Sequence, residues 1–204
     1  MEVLHDMSLK RYNTFNIDVT AKDFVSLQSV DELQQFLSIH ALNKEKFMIL
    51  GGGSNILFTA DYDGTIVQIA IPGKKIIQKS KDHVLVQVMA GENWDEFVSW
   101  CIDKGLGGLE NLSGIPGLVG ASPIQNIGAY GVEMQDHFIT LEAIEANTGV
   151  VREFPLDSCS FGYRDSVFKK ELKDKFIILS TTFSLDKKPL YNLSYRLFKD
   201  LFCG

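Results

Sequence analysis

Two glycine clusters and one arginine are the residues here whose types and spacing could do chemistry. The first cluster, Gly51-Gly52-Gly53-Ser54-Asn55, directly follows the apolar run Phe47-Met48-Ile49-Leu50. Each glycine costs roughly 0.5–1 kcal/mol against alanine in regular structure, so three in a row need a reason. Successive amides in a turn without Cβ atoms form a concavity that binds anions, and Ser54 and Asn55 add side-chain donors. The second cluster, residues 105–133 (GLGGLENLSGIPGLVGASPIQNIGAYGVE), holds eight of the seventeen glycines. It is long for a connector, rich in apolar residues and poor in charge. Such a loop buries itself, and its N–H groups then need acceptors, which a phosphate or a heteroaromatic ring edge supplies. Arg164 sits among aromatic residues in FGYRDSVFK (161–169), beside Asp165. A partly desolvated arginine there binds a carboxylate through its planar fork; a structural contact to Asp165 or to backbone is the alternative.

The nucleotide fingerprints are absent. Gly51 and Gly53 begin a G-x-G, but Ile56 occupies the sixth position of G-x-G-x-x-G, and no G-x-x-x-x-G-K-[ST] occurs. One reading has Gly51–Asn55 cradling a pyrophosphate and residues 105–131 covering the rest of a cofactor. The other has two tight turns and no ligand. A metal site is not expected, because His5, His40, His83 and His137 lack ligand spacing. Cys101, Cys159 and Cys203 are odd in number and far apart, which fits a reduced, cytoplasmic protein.

The net charge of −6 gives no basic field for nucleic acid or an anionic membrane. No run approaches the roughly 20 apolar residues of a membrane helix. The N-terminus lacks a basic start followed by an apolar block, so no signal peptide is expected.

Several elements must position these residues. The spacing predicts a strand at 24–29, then a helix over SVDELQQFLSIH with Ser29 and Glu32 as its capping pair and Val30, Leu33, Phe36 and Leu37 as its apolar face. Phe47–Leu50 reads as a short buried strand; residues 65–70, 75–80 and 84–90 read as successive strands. In ENWDEFVSWCIDKGLG, Trp94, Phe97, Val98, Cys101 and Ile102 recur at helical spacing, with Asn93 and Glu96 at the start and Gly105 at the end. FITLEAIEA and VVREF form a hairpin across Asn147-Thr148-Gly149, and 176–185 is a further strand. Helices among many short strands imply an α+β protein with antiparallel sheets, and the breaks near 70–75 imply two lobes.

Five stretches, in order and spacing, resemble the UDP-N-acetylenolpyruvoylglucosamine reductase (UDP-N-acetylmuramate dehydrogenase) family: YNTFNID (12–18), ILGGGSNILF (49–58), AGENWDEFV (90–98), residues 105–133 and FGYRDSVFK. The resemblance covers nearly the whole chain. It implies a two-subdomain FAD-binding unit of the vanillyl-alcohol-oxidase type, with subdomains at 1–72 and 73–188 and the start of a substrate-binding region at 189–204. It implies FAD, NADPH as co-substrate and a nucleotide-sugar substrate in peptidoglycan precursor synthesis; no histidine lies in either glycine cluster, which argues for non-covalent FAD. By the same resemblance, Gly51, Gly52, Gly53, Ser54 and Asn55 hold the FAD pyrophosphate. Gly117, Gly120, Ala121, Ser122, Pro123, Gln125, Asn126 and Gly128 line the rest of the cofactor. In the family a hydride passes from NADPH to flavin and then to the enolpyruvyl group. Arg164 matches the arginine that stabilises the resulting carboxylate charge. Tyr163 adjoins it at the substrate site, and Tyr195, with Tyr191 as alternative, matches a tyrosine that closes over the UDP-sugar. The family's proton-donating serine and its assisting glutamate belong to a third domain, so this chain is expected to be a shortened piece with little turnover of its own. A non-catalytic flavin module, another flavin oxidoreductase of the superfamily and a ligand-free α+β domain are the alternatives.

Overall fold

A computed structural model describes residues 1–40 and 46–189. The chain opens with β1 (Leu4–Ser8) and β2 (Thr20–Leu27), continues through α1 (Val30–Ile39), and reaches β3 (Phe47–Leu50) and β4 (Tyr62–Ile69). Ser29 caps α1 as its type dictates: its Oγ accepts from the Glu32 N–H at 3.1 Å, while the Glu32 carboxylate accepts from the Gln28 N–H at 2.7 Å. Leu33 and Phe36 are buried, and Val30 and Leu37 pack at the margin of the same core.

The four strands form a sheet of order β1-β2-β4-β3. Sequence patterning pointed to antiparallel sheets, but this one is mixed: β1 runs antiparallel to β2, whereas β2 and β3 both run parallel to β4. The cause is connectivity. α1 returns the chain so that β3 repeats the direction of β2, and residues 51–61 do the same between β3 and β4, as parallel neighbours require. Both sheet faces are then covered. Phe24 and Ile66 face one core, and their neighbours Val25 and Val67 face another. β3 is not the fully buried strand expected. It pairs on one side only, with Leu50 buried and Ile49 39% exposed.

β5 (Lys74–Lys79), β6 (His83–Met89), β9 (Phe138–Glu145), β10 (Val151–Pro155) and β11 (Phe176–Asp186) form an antiparallel sheet of order β10-β9-β11-β6-β5. Between its strands lie α2 (Trp94–Asp103), the small hairpin of β7 (Gly128–Ala129) and β8 (Val132–Glu133), and the single-turn α3 (Leu156–Cys159). Asn93 caps α2, its Oδ1 accepting from the Glu96 N–H at 3.1 Å. Trp94, Phe97, Val98 and Cys101 are buried in the core beneath this sheet. Ile102, read as part of that face, is 50% exposed. At about 100° per residue it stands some 80° from the direction of Trp94, at the edge of the stripe.

The two sheets meet through one apolar cluster. Leu27 and Val67 of the first pack with Ile144, Ile177 and Leu179 of the second, and α1 adds Leu33 and Phe36. The second glycine-rich segment is strapped alongside. The Trp94 N–H donates to the Gly117 carbonyl at 3.0 Å, Val119 N–H to Glu92 and Gly120 N–H to Ala90, each at 2.9 Å. Among the described residues no helix is long and apolar enough to cross a membrane.

Candidate functional site

The two glycine clusters lie back to back. Gly53 has φ +64°, and a Cβ there would sit 1.9 Å from the Tyr12 carbonyl oxygen. A Cβ on Gly52 would lie 2.9 Å from the Cα of Gly117, itself at φ +128°. Bare backbone at these positions is required first by close approach of chain to chain. Ser54 and Asn55, read as ligand donors, clasp the second loop instead. Ser54 Oγ donates to the Pro116 carbonyl at 3.0 Å, and Asn55 Nδ2 donates to Gln125 Oε1 at 3.2 Å.

The main chain retains donors. Among the described residues, the N–H groups of Gly52, Gly53, Ser54 and Asn55 meet no protein acceptor. Four successive free amides beside a concave surface are the donor set an anion takes. That surface is a groove of about 360 Å³, lined by Gly51–Asn55 together with Gly117, Ala121, Ser122, Gln125 and Arg164. It adjoins a wider cavity of about 730 Å³, in which Gly51, Gly120 and Ala121 also take part. Its apolar walls include Phe47, Met48, Tyr62, Phe168 and Phe176. Leu50, Leu118 and Ile124 belong to both compartments.

The remaining candidates are placed differently. Pro123 is buried in the 3₁₀ segment Val119–Ile124 and lines neither compartment. Asn126 is fully buried at φ +43°, and its side chain is occupied. Its Nδ2 donates to Glu133 Oε2 at 2.8 Å and to the Gly162 carbonyl at 3.1 Å, while its Oδ1 accepts from the Gln135 N–H at 3.1 Å. Asn126 thus joins the end of the second glycine loop to the turn that carries Arg164. The Gly162–Asp165 turn closes on itself by reciprocal backbone bonds of 3.1 Å, with Arg164 at φ +54°. Arg164 Nη2 donates to the Gly128 carbonyl at 2.9 Å.

Arg164 was expected among aromatic side chains and partly desolvated, but it is exposed. The aromatics turn elsewhere. Phe161 packs edge-on against Phe138 and Phe168 against Phe154, while Tyr163 is 85% exposed. Nor does Arg164 pair with Asp165. Lys170 does, and its ammonium holds the Asp165 carboxyl below the usual value. Tyr191 and Tyr195 lie outside the described residues.

Sequence reasoning missed Lys169, which lines both compartments. It also missed the apolar walls, whose residue types are those of ordinary core: Phe47 and Met48 stand on the edge strand β3, Tyr62 and Phe176 at the starts of β4 and β11, and Phe168 in a turn. The described residues hold no cluster of metal-ligating groups. Burial pushes the Cys101 and Cys159 thiols up to about 12, so neither supplies a thiolate near neutral pH.

Two sheets beside a glycine-lined groove have the α+β fold of vanillyl-alcohol-oxidase-type FAD-binding units. Residues 21–154 match the FAD binding domain family, and the chain belongs to it. Over 188 residues it is 49% identical to UDP-N-acetylenolpyruvoylglucosamine reductase of Flavobacterium johnsoniae, covering 92% of this chain and 55% of the relative. The reductase of Pseudomonas aeruginosa is 43% identical over 195 residues, covering 96% of this chain and 57% of the relative. The chain therefore spans somewhat over half the length of the curated relatives it matches, whose name is the one the motifs resemble. Among solved structures, the reductase from Thermus caldophilus superposes with a TM-score of 0.71 at 24% identity, over 90% of this chain and 61% of that one. A solvent-stable cholesterol oxidase superposes at 0.58 and 14% identity, over 83% of this chain and 36% of that one. These likenesses show the shared fold.

Proposed function

We propose that the groove holds FAD non-covalently, and that the chain is the flavin-binding part of an NADPH-using reductase. The substrate would be UDP-N-acetylglucosamine enolpyruvate and the product UDP-N-acetylmuramate, a cytoplasmic step of peptidoglycan precursor synthesis. The supporting observation is the run of free amides from Gly52 to Asn55 beside the groove, packed against Gly117, whose Cβ would lie 3.0 Å from Ser54 Oγ. These groups suit a diphosphate, and the wider apolar compartment next to it suits a flat ring system. Neither compartment is lined by a histidine or cysteine among the described residues, which suits a cofactor held without a covalent bond.

Bound FAD would supply the hydride transfer. The chain's own residues bind and orient. Gly52–Asn55 would hold the diphosphate, while Ser54 and Asn55 keep the two loops at fixed spacing. Gly117, Ala121, Ser122 and Gln125 would wall the groove, and Gly120 the wider compartment. Arg164 spends one N–H on Gly128 and keeps the rest of its fork for a substrate carboxylate, whose developing charge it would stabilise. Tyr163 and Tyr195 would meet the nucleotide sugar. The subdomain limits 1–72 and 73–188 are part of this proposal, supported by the break between the two sheets at Ile69 and Lys74, with 189–204 opening the substrate region.

Titration with FAD, FMN and riboflavin tests the cradle. FAD is expected to bind tightest, by at least about tenfold over riboflavin, because the diphosphate adds charge-assisted hydrogen bonds. Equal affinities would contradict the placement of the diphosphate on Gly52–Asn55.

A further inference from the structure

The FAD reading leaves the groove's charge balance open. Amide N–H groups contribute only partial charges, and the chain as a whole is acidic at −6. Lys169 and Arg164 line the groove and Lys169 and Lys173 the wider cavity, so of these cations only Lys169 borders both compartments.

Lys169 is held at its base. It ends a 3₁₀ turn, Val167–Lys169, that begins at the fully buried Ser166. Ser166 Oγ accepts from the Phe168 N–H at 3.2 Å and donates to the Ile124 carbonyl at 2.6 Å, which fixes the turn against the groove wall. Lys169 Nζ donates to the Arg164 carbonyl at 2.9 Å. Among the described residues no carboxylate pairs with it, although its neighbour Lys170 pairs with Asp165. An ammonium has three donors, so donors and positive charge remain available where the two compartments join, the Asp165 carboxylate being bonded to Lys170 and feeling Lys169 only through space.

We infer that Lys169 is a cofactor-binding cation: it meets the anionic diphosphate of the dinucleotide opposite the Gly52–Asn55 amides, while its bond to the Arg164 carbonyl ties the cofactor site to the arginine turn. This inference rests on the FAD reading. It gives a role to Lys169, the last residue of FGYRDSVFK, which neither the resemblance nor the amide cradle assigns.

The test is the FAD dissociation constant of the 204-residue chain and its Lys169→Met, Lys169→Arg and Lys173→Met variants, measured over a range of salt concentrations. Lys169 is exposed, so K169M is expected to unfold at the same denaturant concentration as the parent chain. Losing one charge-assisted contact should weaken FAD binding roughly 10- to 100-fold at low salt. The salt dependence should flatten, since a screened charge pair has gone. K169R should recover most of the affinity. K169M binding within about twofold of the parent overturns the inference. So does a loss that leaves the salt dependence unchanged, or an equal loss in K173M, which would mean a diffuse field and not a contact. A parent chain that binds no FAD fails the cofactor reading itself, a different result from a parent that binds and a K169M that binds equally.

Discussion

A Cβ on Gly53 would lie 1.9 Å from the Tyr12 carbonyl oxygen, on a backbone already at φ +64°, whereas one on Gly51 would meet only Ala121 Cβ at 3.5 Å. Neighbouring glycines in one motif therefore carry very different constraints. Gly53→Ala combines left-handed strain of about 1–3 kcal/mol with overpacking of about the same size. It is expected to destabilise the fold by roughly 2–5 kcal/mol in urea melts. Gly51→Ala should stay within about 0.5 kcal/mol. Similar losses for both would mean that the cluster's fit against residues 12–13 is wrong. At this scale the sequence shows which groups exist, not whom they meet. The glycines of 51–53 and the donors Ser54 and Asn55 were legible, but Pro116 and Gln125, their partners, stand 62 and 70 residues away. Arg164 was legible as a functional type. Its exposure was not, because nothing local says that Phe161 and Phe168 turn toward the second core.

Elements were legible where pattern and caps agree. The Asn93 cap and the spacing of Trp94, Phe97, Val98 and Cys101 specify α2 from within a short window. β1, LHDMS, escaped because four of its five residues are exposed, so no alternation marks it. The parallel pairing of β3 with β4 escaped too, since an apolar run does not name its partner. The start of β5 illustrates tertiary anchoring of an element. Glu92 Oε1 accepts from the Gly73 N–H at 2.7 Å, and Glu92 Oε2 pairs with Lys74 Nζ at 2.5 Å. Burial raises the Glu92 pKa, but the Lys74 and Gly73 bonds outweigh it, and the carboxyl lies below the ordinary 4.5. A depressed folded-state pKa adds stability above the unfolded value, which is lost as pH falls through the folded one. Glu92→Gln should therefore cost about 1 kcal/mol at neutral pH, the pair being partly solvent-screened. The gap to the parent should close below pH 4.5, in urea melts across pH. A gap that persists into acid would assign the loss to packing.

On the scale of the molecule, a mixed and an antiparallel sheet share one apolar cluster, and the wider compartment borders it at Ile69, Ala90 and Ile177, with the groove adjoining. The two-lobe α+β architecture could be read from the break after residue 70 and from the helix and strand patterns. The junction could not, because Leu27, Val67, Ile144, Ile177 and Leu179 look like any other core residues until the sheets are stacked. On this reading the molecule holds its cofactor beside that junction. The most direct measurement is the visible absorption spectrum of the purified chain after incubation with excess FAD and gel filtration. A flavin spectrum that elutes with the protein at close to one FAD per chain is the expected result. A colourless protein peak, with all flavin in the small-molecule fraction, would contradict it.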